Sequence, residues 1–451
     1  MSLVLRISFA STLASLLLLT CQPAFAGGFV RQNAVGGVSI DAEGVVSNPT
    51  VGDPERLAAV RETGLDQVPT DIAEASPLRF ISLRQVEAII AEKKEAGLPV
   101  PDEVMLLGGL QRVQYVLVYP ELKDVVLAGP AEGWRIDELG NVVGQNSGRP
   151  VVALDDFMVA MRSALANPGQ GMSCSIDPTP EGLANVQKMV GSLNANAGPE
   201  RAANAIAEAM GYQTISVTGV PQTSHFARTM VAADFRMKRL AMGFEPSPVN
   251  NMPSYLQLLG KGRGRVSQNM LPRWWLAPNY QPVLRDEAGL AWEIRGQGIK
   301  CLTEQDYVNA QGEKTQTVAA GGPAKKWADT FTDKFEILAD QDSSFGHLRN
   351  AMDLAVVATL IVREGMAEQV GLDMPWINEK YELAEFNAPK RVATQTSFIK
   401  AGRQWIISAS GGVQIIPAEI LAEDETVATI DEVAGQQDRV ANSNTWWWDA
   451  K

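Results

Sequence analysis

Between Thr214 and Val249 the apolar pattern changes period. A buried strand begins at Thr214, and after a proline-containing turn Phe226, Met230, Ala233, Met237 and Leu240 recur at steps of four and three, which places them on one face of a long helix. Val231 and Phe235 widen that face, Arg228 and Arg239 lie at its margin, and Pro246 bounds the exit. The Met and Phe stripe reads as core packing. Asp234 and Lys238 stand four apart in the acid-first order, a pairing that contributes only about 0.2–0.5 kcal/mol on an exposed helix.

The rest of the chain carries similar signals. Val38 to Ser47 and Trp134 to Gly144 share an Ile-Asp, a turn glycine and a Val-Val, which predicts two copies of a short hairpin. Ser82 and Gln85 form a capping box for a helix running to about Ala96. Val113–Tyr119 and Val125–Ala128 read as strands of a hairpin, and Asp155 or Asp156 as the cap of a helix containing Arg162. A strand-turn-helix unit follows at Ser173 to Val190, with Thr179 as N-cap and Pro180 at the first helical position. A helix from Glu200 to Met210 leads into the Thr214 unit. Ala351–Val362 is apolar nearly all round, as in a helix buried on several sides, and Ile399–Ile416 reads as a last hairpin turning at Gly411-Gly412.

This order predicts an α+β fold: a mixed β-sheet with covering helices, plus a mainly helical C-terminal part. The expected divisions are a signal peptide at 1–26, an extension with a short hairpin at 27–66 and a central mixed domain at 67–249. A mostly helical part with an irregular, aromatic-rich beginning follows at 250–420, and an acidic, largely disordered tail ending in TWWWDAK at 421–451.

Composition adds an address. Arg6, an apolar run from Ile7 to Thr20 and Ala24-Phe25-Ala26 have the layout of a secretory signal peptide cleaved near Ala26, which predicts a secreted or periplasmic protein. Leu18-Leu19-Thr20-Cys21 is a weaker lipobox reading. The net charge is −13, and loss of Arg6 makes the mature chain one unit more negative, so its general surface repels nucleic acid and anionic lipid. Past the signal, no run reaches the ~18 apolar residues expected of a membrane span. Cys21 leaves with the signal. Cys174 and Cys301 are left as a disulfide, as two buried thiols or as a reactive thiol; closing so long a loop contributes roughly 4–5 kcal/mol on the chain-entropy account.

With only His225 and His347, and no H-E-x-x-H pattern, a zinc site is not expected; the chain also has neither a Walker A loop nor a G-x-G-x-x-G, so no cofactor is called for. The candidate chemistry gathers at the two strand-helix turns. If their strands are neighbours, Asp177, Thr179, Thr223, Ser224 and His225 meet outside the strand ends, and Cys174 or Ser224 can pair with a histidine as a nucleophile. The bland reading makes Thr223 or Ser224 an ordinary N-cap and His225 a first-turn residue. Asp177 and Thr223 are candidate ligand-binding residues, and Lys261, Arg263 and Arg265 in a Gly-rich loop are candidate anion binders. Arg273, Trp274, Trp275, Tyr280 and Arg285 read as core anchors rather than as a stacking platform for sugar or peptide. Asp353, in the buried helix, has Arg349 four residues earlier as its expected partner.

Through SCSIDPTPEG, TSHFARTMVAADFRMKRLAM, RWWLAPNY, GQGIKCLTE and FGHLRNAMDLAVVATLI the chain resembles a family of uncharacterised secreted proteins from planctomycete bacteria, a domain of unknown function. The resemblance implies export and supplies no activity or site residues. Since no catalytic signature is complete, the first functional expectation is a non-enzymatic binding or scaffold protein of the envelope or periplasm. Its partner would be a small anion, a glycan or an envelope protein. The alternative is a secreted hydrolase using Cys174 or Ser224 with His225 or His347.

Overall fold

The alternating and helical periods of the sequence are realised as strands and helices that build two sheets around one central helix. The computed structural model describes residues 38–48, 68–167, 169–192, 199–261, 270–308, 314–319, 322–396, 410–422, 435–436 and 445–450. The signal-peptide segment therefore lies outside the described residues. The first part of the chain contributes β1 (Ser39–Ile40), β2 (Val45–Ser47), β3 (Ser76–Ser82), α1 (Leu83–Glu95), α2 (Asp102–Met105), β4 (Tyr115–Tyr119) and β5 (Asp124–Ala131). Next come β6 (Trp134–Ile136), β7 (Val142–Gly144), α3 (Leu154–Ala166), β8 (Met172–Asp177), α4 (Pro180–Ser192), α5 (Pro199–Met210), β9 (Tyr212–Thr218) and α6 (His225–Ala241). They are followed by α7 (Tyr255–Lys261), β10 (Met270–Asn279), β11 (Leu284–Arg285), β12 (Ala291–Glu293), β13 (Gly298–Val308) and β14 (Lys314–Ala319). The remainder is α8 (Gly322–Asp333), α9 (Phe335–Gln341), α10 (Ser343–Arg363), α11 (Met366–Val370), β15 (Arg391–Ala393), β16 (Ser410–Ile415), α12 (Pro417–Ala422) and β17 (Trp447–Asp449).

The fold is α+β. The larger sheet has nine strands in the order β1-β2-β15-β9-β8-β16-β10-β13-β14, the smaller has six in the order β11-β12-β4-β5-β3-β17, and β6 and β7 pair alone. The β2–β15 and β10–β16 pairs are parallel and the other pairs of the large sheet antiparallel, so it is mixed. It draws strands from both sides of residue 250, and the segment after that residue carries strands as well as helices.

Several local signals are realised as read. Ser82 accepts from Gln85 N at 3.1 Å and starts α1, although the Gln85 amide reaches Thr445 O instead of closing the box. Thr179 caps α4 by accepting from Gly182 N. The repeated hairpins are both present, with Asp41 accepting from Val45 N at the start of β2 and Asp137 from Leu139 N in the turn.

Other expectations are corrected by tertiary packing. The N-cap of α3 is Ala153, with Asp155 and Asp156 buried in the first turn. Gly411-Gly412 is no turn: both lie inside β16, squeezed between β10 and β8. A Cβ on Gly411 would sit 1.5 Å from Trp274 O and one on Gly412 1.9 Å from Cys174 O, so the glycines permit close backbone approach. TWWWDAK contributes a strand, β17, at the edge of the small sheet.

Cys174 and Cys301 are free and buried. They face each other across the sheet in one row, Cys174–Val413–Leu276–Cys301, separated by β16 and β10. Three interstrand steps amount to roughly 14 Å, about twice the reach of a disulfide.

Helix α10 is the centre. It packs against α3, α6, α9, α11, α12 and β13, and it is buried from Ser344 to Ile361. By length and hydropathy it could cross a membrane, but here 94% of that window is enclosed by protein. Asp353 on it is paired with Arg112, not Arg349, through bonds of 2.8 and 3.0 Å, and accepts a third from the Tyr280 hydroxyl at 2.7 Å. Arg349 turns to Asp340 at 3.4 Å. Burial works against the Arg112 charge, but Asp353 outweighs it and raises the guanidinium pKa. We expect Asp353→Ala to cost about 3–5 kcal/mol, because it leaves a buried guanidinium unpaired, and the double change Arg112→Met with Asp353→Leu to cost less. Urea titrations of the three proteins check the order.

Candidate functional site

The site is built where α3, α6 and α10 begin. Ser224, in extended conformation, caps α6: its hydroxyl accepts from Ala227 N at 3.1 Å and donates to Pro221 O at 2.6 Å. That geometry places His225 at the first helical position. Its Nδ1 lies 2.8 Å from Oδ2 of Asp156, in the first turn of α3. With Nδ1–H donating to the carboxylate, Nε2 is left as the acceptor. His347, in the second turn of α10, approaches edge-on with ring centroids 5.7 Å apart. Gly346 makes room for that helix start, since a Cβ there would lie 2.6 Å from Ala339 O and 2.7 Å from the Pro150 ring.

Phe386 closes the other side. Its N–H donates to Thr223 O at 2.9 Å, and its ring lies 6.0 Å from that of His225 and 4.8 Å from the guanidinium carbon of Arg228. Arg228 is only 1% exposed, and its Nε and Nη2 have no hydrogen-bond partner. Burial alone pushes its pKa down to about 10. Nε2 of His347 and Oδ1 of Asp156 are likewise buried without partners. Burial, with a further contribution from His225, holds His347 neutral, its pKa pushed down to about 3.

The two strand-helix turns do not converge. β8 and β9 are neighbours, as the candidate site requires, but antiparallel: Asp177 pairs with Thr214 and Ser173 with Thr218. Asp177 and Thr179 therefore lie at the opposite end of these strands from Thr223, Ser224 and His225. Cys174 is buried beside Asp234, which lies roughly 13 Å along α6 from His225 at 1.5 Å per residue; burial first, and then Asp234, raise its thiol pKa well above the ordinary value. The thiol is not positioned to meet either histidine. The Ser224 hydroxyl is committed to its cap. Lys261 is the last residue of α7, and Arg263 and Arg265 lie outside the described residues. Among the described residues no group of three or more His, Cys, Asp or Glu side chains could hold a metal ion.

What the structure does assemble is the histidine pair, which lies far apart in sequence. Asp156 reads as a helix cap and Arg228 as the margin of a stripe; only the three-residue step from His225 to Arg228, one helical turn, was there to connect them. The Asp234–Lys238 pair also differs from its exposed-helix reading. It is buried beneath the large sheet, where the ammonium donates to Asp234, to Ile176 O and to Gly411 O at 2.9, 2.7 and 3.2 Å.

A histidine whose pKa is lower in the folded than in the unfolded chain takes up its proton only on unfolding. The stability this brings is present above about 6.5, the ordinary value, and is lost as pH falls toward 3. Below about pH 6, we expect His347 to cost the fold up to roughly 1.4 kcal/mol per pH unit. Denaturant titrations from pH 7 to 4 should show a shallower acid loss for His347→Phe than for the parent chain.

Over residues 174–255, from β8 to the first residue of α7, the chain is similar to a family described as a protein of unknown function, DUF1598. No curated protein matches the chain. No solved structure matches it.

Proposed function

We propose that the protein is an exported, non-enzymatic binding protein of the envelope or periplasm, and that it holds a small anion at Arg228 beside His225. The observation that carries this reading is the Arg228 guanidinium, shut away from water with two nitrogens unpartnered and an aromatic ring as its neighbour. A buried cation without a counter-charge is costly, and a carboxylate or phosphate group would supply the missing charge-assisted bonds. The start of α6 adds the positive end of a helix dipole on the same side. Export rests on the A-x-A signal at Ala24–Ala26 and on the resemblance to secreted planctomycete proteins. The commitment of Ser224 to its cap and the burial of Cys174 favour binding over nucleophilic catalysis.

One observation favours a second reading. An Asp156-oriented His225 with Nε2 free to accept is the arrangement of a general base, so hydrolysis through an activated water is the competing activity.

Thermal shift measurements with inorganic phosphate, acetate and a uronic acid discriminate the two. For the binding reading, at least one anion stabilises the parent chain, by roughly 2.7 kcal/mol at a hundredfold excess over Kd, and leaves Arg228→Met unmoved. Arg228→Met should also be more stable than the parent without anion, by about 1 kcal/mol or more, since it removes an unpaired buried charge. Absence of any anion effect, together with a destabilised Arg228→Met, rejects the site. Turnover of a p-nitrophenyl ester panel that disappears in His225→Asn would replace binding by hydrolysis. Sequencing of the protein recovered from culture medium or periplasm should begin at Gly27; a chain retained in the cytoplasm with Met1 in place rejects export.

A further inference from the structure

The edge of the small sheet holds a strand in the manner of a bound peptide. β17 lies antiparallel on β3, with Trp447 opposite Ile81, Trp448 opposite Phe80 and Asp449 opposite Arg79. Its backbone is tied at both ends: Ser82 N donates to Trp446 O and Ala450 N to Leu78 O, each at 2.9 Å. The side chains alternate between faces as a strand requires. Trp448 stacks on Phe80 on one face, with centroids 5.5 Å apart and planes 5° from parallel. Trp447 and Asp449 turn to the other face, where both meet Arg79.

Arg79 is the centre of this arrangement. With β17 in place its side chain is fully buried, and carbonyls of Ile72, Gly108 and Glu74 orient the guanidinium. Nε and Nη2 point to the sheet edge and donate to the two carboxylate oxygens of Asp449 at 2.8 and 3.0 Å. The counter-ion of this cation thus comes from a strand that follows α12 in the chain after residues 423–444, a run rich in acidic and polar residues. The body supplies the cation, the aromatic shelf of Phe80 and an open row of β3 backbone groups, and the strand supplies what fits them. This is strand addition to a sheet edge, with main-chain bonds giving affinity and alternate side chains giving selectivity.

We propose that the β3 edge is a peptide-acceptor site for an extended segment carrying two adjacent aromatic residues followed by an aspartate, and that residues 445–450 are its tethered resident ligand. The fork of Arg79 demands a carboxylate in one register, and the shelf of Phe80 demands an aromatic ring one residue earlier on the opposite face. A partner protein presenting the same pattern competes with the resident strand. The tether raises the effective concentration of the resident, so the site stays closed to weaker sequences.

The test uses the full chain with a protease site placed within 437–444, cut after folding. The resident peptide should co-elute with the body in gel filtration, and a fluorescent synthetic peptide of residues 444–451 should exchange onto it. The same peptide with Asp449→Asn should compete at least tenfold less well, and with Trp448→Ala similarly. Immediate loss of the resident from a body that keeps its circular dichroism and thermal transition overturns the proposal, as does equal competition by the peptide carrying Asp449→Asn. If cutting unfolds the body, the uncut chain carrying Asp449→Asn decides: more rapid amide exchange along β3 and capture of the labelled parent peptide support an acceptor site, and a chain that refuses the peptide rejects it.

Discussion

Asp353 is the joint on which the two sheets and the central helix depend. It sits on a helix enclosed on every side, where an unpaired carboxylate would be prohibitively costly, and it is satisfied from two directions. Arg112, just before the first strand of the small sheet's central hairpin, grips it with two bonds, and Tyr280, just after β10 of the large sheet, donates a third. Arg112 also donates to Gly296 O, tying in the approach to β13. One carboxylate therefore sets the position of both sheets relative to α10. Burial drives the Tyr280 hydroxyl well above its ordinary pKa, and Asp353 adds to that shift, so the tyrosine stays a donor.

The same central helix brings His347 to His225. Once α10 is held between α3 and α6, the beginnings of three helices meet, and the polar side chains of their first two turns must find partners there. Asp156 meets His225 through Oδ2. Two guanidinium nitrogens of Arg228 and Nε2 of His347 are buried without a partner. Lys238, on the same helix as Arg228, shows the contrast: it is buried too, yet it has a carboxylate and two carbonyls. Packing alone accounts for Lys238 and leaves Arg228 without a reason, and the reading of that corner as a binding site follows from the difference.

The small sheet repeats the theme at its edge. Arg79 is as buried as Arg228 but has its carboxylate, delivered by a strand distant in sequence. Three arginines thus mark the layers of the molecule: the part-buried Arg112 holds them together, the buried Arg79 holds an edge strand, and the buried Arg228 is left with a ring.

The local code was legible wherever it depends on neighbours in sequence. The Thr179 cap, the two short hairpins, the β4–β5 hairpin, the amphipathic face of α6 and the all-round burial of α10 are consequences of side chains within a turn or two of one another, and the chain alone determined them, along with the α+β class. Strand partners were not legible. The antiparallel pairing of β8 with β9, which sends Asp177 and His225 to opposite strand ends, and the insertion of β16 and β10 between the two cysteines depend on contacts between segments far apart in the chain. Gly411-Gly412 shows why: a glycine pair has the same freedom in a turn as in a squeezed strand, and only its neighbours decide which. The partner of Asp353, the docking of Trp447–Asp449 on β3 and the meeting of His225 with His347 belong to the tertiary structure for the same reason. A buried charge must be matched, but the sequence states only that it exists, and the partner is whichever group the packing brings within hydrogen-bond reach.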